Sequence, residues 1–476
     1  MLSQSYQAEL DRYNAEQRAK ARFLYRILSY LPLCVIWALL LYFTAFQPGW
    51  DFQTIATLSL FAAIFAIGLS IIYGPYRLNF VTIYLVYLSL AHLGLVTSDL
   101  LVPDSRYSFL LRINLNIANM NWYFTNTPLT TYAVALSGLA IASLGISAGF
   151  WSLRRASSHS QILPSFQSGG DRTIFYVGTA LLVFCTLYIV LMVAFGALPL
   201  FASYAEFRDA SERVFGYSFF LIVLAVGLTF VLATGSGKQI RRSITFFILP
   251  AVFLLMTGNR GEVLYPAAAA IVVLSARGFR LRALSIFLLV LLFFVVIPAI
   301  RQIRQTRLTE IDLGDITIAA TDPFIELGFQ LRPLTVTVDW IDAGEPLAHG
   351  ETYWLPVQRM IGLIMPLIER PPIEGSRLDL TGRTPTQGYS VVAEAYFNFG
   401  YMGAVVVFAL IGFYLSWFAN QTGSTLGLAF HSAVFATLIN NIRNSFIFVP
   451  GHLVVIVAIV VIAHLLSKRE KPVITP

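Results

Sequence analysis

Charged side chains are scarce in this 476-residue chain: Asp, Glu, Lys and Arg together make up 12%, about half the share of an ordinary soluble domain. Cysteine is nearly absent. The two present, Cys34 and Cys185, both fall in apolar runs, which leaves neither a disulfide framework nor a cysteine-based metal site. No G-x-x-x-x-G-K-[ST] sequence occurs, so ATP-driven transport and nucleotide-sugar chemistry have no nucleotide-binding element to rest on. No His/Asp/Glu cluster has metal-ligand spacing, so neither a catalytic metal nor a cofactor is expected. The first 22 residues are polar, and no cleavable signal peptide is expected.

In place of charge the chain has apolar surface: 57% hydrophobic residues and a mean hydropathy of +0.72. Apolar runs recur at the length needed to cross a hydrocarbon core of ~30 Å at 1.5 Å per residue. Their continuity excludes a β-barrel, whose strands alternate. The predicted spans are 27–46, 54–73, 79–97, 128–150, 173–196, 217–234, 244–257, 262–276, 283–300, 391–418, 425–446 and 452–467. The expected fold is an all-α polytopic membrane protein with about 12 transmembrane helices. Residues 1–300 hold spans 1–9 with short loops, 301–390 form one large loop, and 391–476 hold spans 10–12 and a tail. No internal repeat supports an inverted-repeat transporter plan.

An even number of spans puts both termini on one side. The basic clusters Arg18/Lys20/Arg22/Arg26, Arg77, Arg154/Arg155, Lys238/Arg241/Arg242, Arg277/Arg280/Arg282 and Lys468/Arg469/Lys471 then fall on that side, which the positive-inside rule makes cytoplasmic. The only four lysines, Lys20, Lys238, Lys468 and Lys471, are all among them. Basic residues on the other face are all arginines. That choice suits bidentate binding of anions, although a general shortage of lysine gives the same pattern. The substantial external segments are 98–127, 197–216 and 301–390, and function is expected there.

A loop of about 90 residues exceeds any simple connector. It opens with Arg301, Arg304 and Arg307 at helical spacing, a stripe for headgroups or a ligand. Val357–Ile368, flanked by Tyr353 and Trp354, reads as an amphipathic helix at the membrane interface. Arg377 and Arg383 then sit in a Gly/Pro/Thr-rich segment suited to wrapping a charged ligand.

Charged residues are expected at membrane depth in three places. The 34 residues between Arg242 and Arg277 must cross out and back, whereas two full crossings need about 40. The turn Thr257-Gly-Asn-Arg-Gly-Glu262 is therefore expected below the surface, with Gly258 and Gly261 allowing a sharp turn and Arg260 and Glu262 facing a cavity or each other. Asn440-Asn-Ile-Arg443-Asn444-Ser ends the eleventh span, where Arg443 faces the same cavity or snorkels to the interface. Glu394 heads the tenth span as either a dipole-favoured acid or a general base. His349 and His452 are external, and lone histidines are more often structural.

The order of these features resembles the Wzy-type polysaccharide polymerases, the repeat-unit polymerases of O-antigen and related glycans. Thr257-GNRGE262 is similar to that family's Gly-x-Arg hairpin, Trp354-Leu-Pro356 and Glu394-AYFNFGYMG403 to its large loop and following helix, and Arg377-LDLTGRTPTQ-Gly388 to its R-x10-G pattern. The resemblance covers roughly residues 170–465. It implies a GT-C-like membrane glycosyltransferase of the bacterial inner membrane, with both termini cytoplasmic and the active site facing the periplasm. Undecaprenyl-pyrophosphate-linked oligosaccharide repeat units are then polymerised without a metal. Membrane lipids and a polysaccharide chain-length regulator are the implied partners, and nucleic acid is not one.

Carried onto this chain, the resemblance assigns Arg260, Arg443, Arg377 and Arg383 to pyrophosphate and substrate. Glu394 or His349 becomes the catalytic base, with Glu262, Gly258, Gly261, Asn440 and Asn444 in support. An O-antigen ligase, with lipid A core as acceptor, and a lipid-linked oligosaccharide flippase are the alternative readings.

Overall fold

The structure, a computed structural model, describes residues 2–102, 127–154, 169–199, 204–259, 261–279, 319–365, 367–384, 388–421 and 424–468. Among the described residues the regular structure is helical, without strands. Helix α1 (Leu2–Ser29) leads into α2 (Leu31–Phe46), α3 (Phe52–Tyr73), α4 (Phe80–Leu101), α5 (Thr127–Arg154) and α6 (Gly169–Ala194). Short α7 (Tyr204–Arg213) precedes α8 (Tyr217–Thr234), α9 (Gly237–Ser243), α10 (Thr245–Met256) and α11 (Gly261–Ala276). The large loop supplies α12 (Asp322–Gly328), α13 (Leu331–Asp342), α14 (Glu351–Ile364) and the single turn α15 (Leu380–Arg383). Then come α16 (Val391–Phe399), α17 (Tyr401–Asn420), α18 (Thr425–Asn441), a 3-10 turn at Phe446–Phe448 and α19 (Val449–Lys468).

Among the described residues, nine helical stretches are long and apolar enough to cross a membrane, and each coincides with a predicted span. Of the other three, 262–276 is the shorter apolar helix α11, 425–446 contains the 17-residue α18, and 283–300 lies outside the described residues. The predicted tenth span, 391–418, needs correction. It is two helices, because Gly400 adopts φ +60 and ends α16. A Cβ on Gly403 would lie 1.9 Å from the Ala395 carbonyl oxygen, so only glycine lets α16 fold onto the start of α17.

Two groups of helices form the core. Helix α5 is surrounded by α2, α3, α4, α13 and α17, and α8 by α6, α11, α18 and α19. Helix α4 touches members of both groups. Polar side chains start several helices by accepting otherwise orphaned backbone N–H groups: Asp51 for α3, Asn79 for α4, Ser390 for α16 and Ser424 for α18.

The large loop is not simply a cap above the bundle. Helix α12 lies directly on α4: a Cβ on Gly94 would come within 2.2 Å of the Phe324 carbonyl oxygen, and one on Gly328 within 2.3 Å of Leu95 N. Backbones approach this closely only where both side chains are missing. Helix α13 follows with a buried stripe, Leu331, Leu334 and Val338, against α5 and α16. Helix α14 is amphipathic, with Thr352 buried and Trp354 60% exposed, but it begins at Glu351 and ends at Ile364 where Val357–Ile368 was expected. The stripe at Arg301, Arg304 and Arg307 lies outside the described residues.

Candidate functional site

The hairpin of α10 and α11 is short. Its helices have 12 and 16 residues, about 18 and 24 Å at 1.5 Å per residue, against a core of ~30 Å. With α9 running into α10, the first arm extends over Gly237–Met256, 20 residues, and the second over the 16 of α11. Gly258 turns the chain with φ +82. The Thr257 hydroxyl donates to the Leu254 carbonyl at 3.0 Å, and Asn259 Nδ2 donates to that hydroxyl at 3.1 Å. Arg260 lies outside the described residues. Beside it, Glu262 is half-buried, and the Tyr265 hydroxyl lies 2.9 Å from where a Cβ on Gly261 would stand.

Arg443 follows the end of α18 in a turn tied by amides. Asn444 Nδ2 donates to the Asn440 carbonyl at 3.1 Å and to Asn440 Oδ1 at 2.7 Å, and Asn441 Nδ2 donates to the Asn444 carbonyl at 2.9 Å. The guanidinium is enclosed by the bundle, and the residue as a whole is half-buried. Within its electrostatic reach lie Tyr87 of α4, Tyr265 of α11 and Glu326 of α12. Tyr265 in turn feels Tyr87 and Glu262, and the two tyrosine rings meet edge to face with centroids 6.3 Å apart. Arg443 thus sits where the two helix groups meet, beneath the re-entrant loop helix.

The end of the loop lies on the same turn. Gly388, at φ +72, has no Cβ because one would stand 2.4 Å from the Arg443 carbonyl oxygen, which accepts the Tyr389 N–H at 3.2 Å. The Tyr389 and Thr337 hydroxyls are 2.8 Å apart. Ser390 caps α16 and also reaches α4. His92 Nδ1 lies 3.2 Å from the Leu88 carbonyl, to which it must donate, so Nε2 accepts the Ser390 hydroxyl at 2.6 Å.

Glu394, one turn later, is 1% exposed. Its Oε2 accepts the Phe446 N–H at 2.7 Å, while Oε1 makes no hydrogen bond of ordinary geometry among the described residues. Because α16 precedes the span at α17, this carboxyl stands outside the spanning helices. Burial pushes its pKa up from 4.5 to about 8, partly opposed by the Phe446 N–H and the nearby Thr352 hydroxyl. Asn398 Nδ2 holds Thr352 in place, donating to its hydroxyl at 2.6 Å and to the Glu394 carbonyl at 2.7 Å. Tyr353 packs edge-on against Phe446, with centroids 5.3 Å apart.

Arg377 and Arg383 meet elsewhere, in a cleft of about 350 Å³ lined also by Glu345, Gly375, Ser376 and Asp379. Arg383 is committed: its two terminal nitrogens donate to Glu345 at 2.8 and 2.5 Å, and its guanidinium lies 3.6 Å over the Trp340 ring. Arg377 donates to the Leu347 carbonyl at 3.1 Å and pairs with Glu351 at 3.3 Å. Acidic groups thus answer both arginines. His349 is exposed, with φ +47 and its N–H on the Asn398 carbonyl at 3.0 Å. His452 is buried beside Phe448. Among the described residues no group of three or more His, Cys, Asp or Glu side chains could hold a metal.

Of the residues singled out from sequence, Gly261, Glu262, Gly388, Glu394, Asn440, Arg443 and Asn444 are brought to one region. Arg377 and Arg383 line the cleft beside Glu345, and Arg383 and His349 adjoin α16 at Phe397 and Asn398. Sequence reading missed Tyr87, Tyr265, Glu326 and His92. Two of these carried a visible signal: Glu326 and His92 are polar groups in otherwise apolar stretches, Pro323-Phe-Ile-Glu-Leu-Gly328 and the third span. The tyrosines carried none, since a tyrosine in a span reads as packing.

Comparison with known proteins bears on this arrangement. The family model for the O-antigen polysaccharide polymerase Wzy matches residues 25–470. Protein CapE of Staphylococcus aureus is 28% identical over 383 residues, covering 80% of this chain and 83% of CapE. No solved structure matches.

Proposed function

The chain belongs to the Wzy family of O-antigen polysaccharide polymerases, and from that premise we propose that it polymerises lipid-pyrophosphate-linked oligosaccharide repeat units at the external face of the membrane. The family match favours this reading over the ligase and the transporter. The observation that carries the residue assignment is convergence on the turn from Asn440 to Phe446. The α10–α11 hairpin reaches it through Tyr265, the loop through Gly388 and Tyr389, and α16 through Glu394.

A polyprenyl pyrophosphate leaving group concentrates negative charge, and more develops as its bond to the sugar breaks. A fixed guanidinium in a water-poor site stabilises that charge. Arg443 is assigned this role, with Arg260, next to Gly261 in the hairpin, as its partner. The acceptor hydroxyl attacks the anomeric carbon of the donor glycan. The bond from that carbon to the pyrophosphate oxygen breaks, the electron pair leaves with undecaprenyl pyrophosphate, and the hydroxyl proton passes to a base. Glu394 suits the base: one oxygen is anchored by Phe446, the carboxyl has the Thr352 hydroxyl beside it, and a pKa of about 8 matches proton transfer near neutrality. Access to it requires α14, which carries Thr352 and Tyr353, to shift. Arg377, Arg383 and His349 are placed at the outer approach, where the glycan enters.

The test is polymerisation by the purified chain in proteoliposomes, supplied with one synthetic undecaprenyl-pyrophosphate-linked repeat unit. A ladder of products supports the reading. Transbilayer movement of the repeat unit without a ladder would replace it with the transporter.

A further inference from the structure

Tyr87 and Tyr265 lie outside the motifs that carry the family resemblance, yet they flank the proposed anion site on both sides of the helix junction. We infer that they are its neutral hydrogen-bond donors, and that Gly261 lacks a side chain so that the Tyr265 phenol can fold back over the hairpin turn toward Arg443. This rests on the reading of Arg443 as the pyrophosphate-binding group.

Three observations on the page lead there. First, Tyr265 and Arg443 act on each other electrostatically, Tyr87 acts on both, and the two rings touch edge to face at 6.3 Å. Second, the Tyr87 hydroxyl oxygen is shielded from solvent and lies within hydrogen-bonding reach of both Arg443 and Tyr265. A phenol oxygen that accepts from a guanidinium still has its own proton to give, and a buried ligand oxygen is a partner for it. Third, a Cβ on residue 261 would stand 2.9 Å from the Tyr265 hydroxyl, 3.1 Å from Cζ and 3.3 Å from Cε2. A side chain at 261 would therefore press on the phenol, and the atom it would displace first is the phenol's polar end.

Chemistry favours such donors here. Glu326 already faces the arginine and Glu262 faces Tyr265, so the site is not strongly cationic at rest. Pyrophosphate oxygens offer more acceptor positions than one guanidinium can fill. Tyrosine hydroxyls supply donors without adding a charge that would have to be desolvated inside the bundle. They come from α4 and α11, one from each helix group, so a bound pyrophosphate would bridge the two.

The experiment uses the full chain in nanodiscs and measures binding of undecaprenyl pyrophosphate, with undecaprenol as the tail-only control. Tyr265→Phe and Tyr87→Phe are each expected to weaken undecaprenyl pyrophosphate binding about 5- to 10-fold, the size of one lost hydrogen bond to a charged acceptor, while undecaprenol binding is unchanged. Gly261→Ala should reproduce the Tyr265→Phe loss. The double variant Gly261→Ala/Tyr265→Phe should bind no more weakly than either single one, because the Cβ and the lost hydroxyl act at one point. Unchanged binding in both tyrosine variants would overturn the inference, as would equal losses for undecaprenol. If the unaltered chain itself fails to prefer undecaprenyl pyrophosphate over undecaprenol, the fault lies with the proposed donor instead. A Gly261→Ala chain that does not fold leaves the two tyrosine variants to decide.

Discussion

Glu394 and Phe446, 52 residues apart, are joined by a 2.7 Å hydrogen bond in which the buried carboxylate accepts the backbone N–H that ends the Arg443 turn. The contact ties the proposed base to the proposed anion site. It also separates two roles for Glu394. Glu394→Gln keeps an acceptor for Phe446 and matches the size of the protonated acid, but cannot take a proton. Polymerisation by Glu394→Gln is expected to fall about 100-fold or more, with the protein still folded. Near-normal product ladders would leave Glu394 with the turn-holding role alone.

The raised pKa sets a pH dependence in two directions. As a base Glu394 must be ionised, so the rate should rise with pH up to about 8, and that limb should be missing in Glu394→Gln. Stability runs the other way. A carboxyl whose folded pKa lies above its unfolded 4.5 contributes fully below pH 4.5, and the contribution is lost as pH rises through about 8. Melting temperature should therefore decline over that window in the unaltered chain and less so in Glu394→Gln. Parallel curves would contradict the burial of this group.

Arg443 and Arg260 should act through planar forks. A lysine keeps the charge but not the paired donors, so Arg443→Lys and Arg260→Lys should lose nearly as much activity as the alanine variants, about 100-fold. A lysine variant with a normal ladder would reduce the requirement to charge.

Arg383 should behave differently. Its two hydrogen bonds to Glu345 and its position over Trp340 make it a brace of the outer loop, about a third exposed. Arg383→Ala should speed hydrogen exchange in 340–345 and 375–384, with a stability loss of about 1 kcal/mol. Its effect on rate should be far smaller than that of Arg443→Ala. Equal losses of rate would return Arg383 to the pyrophosphate.

Because arginines supply the positive charge, polymerisation should survive chelator. Loss with EDTA that Mg²⁺ or Mn²⁺ restores would show a metal-dependent step.

Hydropathy made the spanning helices legible, since length and apolarity are properties of single segments. The residue count between Arg242 and Arg277 pointed to a short hairpin, whereas α9 lengthens its first arm to Gly237–Met256. What a window of hydropathy cannot see is a break made by one backbone angle, and Gly400 splits the predicted tenth span in that way. Nor does it see a loop helix entering the bundle. Helix α12 does so through Gly94 and Gly328, two glycines 234 residues apart that matter only as a pair. Arg443 and Glu394 were visible as charges in apolar surroundings. Arg383 was visible as well, but its partner Glu345 lies 38 residues away, and pairing decides what an arginine does.

The central claim is that Arg443 binds the pyrophosphate of the donor at this turn, and single-turnover release of undecaprenyl pyrophosphate tests it most directly. With the purified chain in proteoliposomes and saturating acceptor, Arg443→Ala should release undecaprenyl pyrophosphate at least about 100-fold more slowly than the unaltered chain. A release rate within about 2-fold of the unaltered chain would place the pyrophosphate elsewhere.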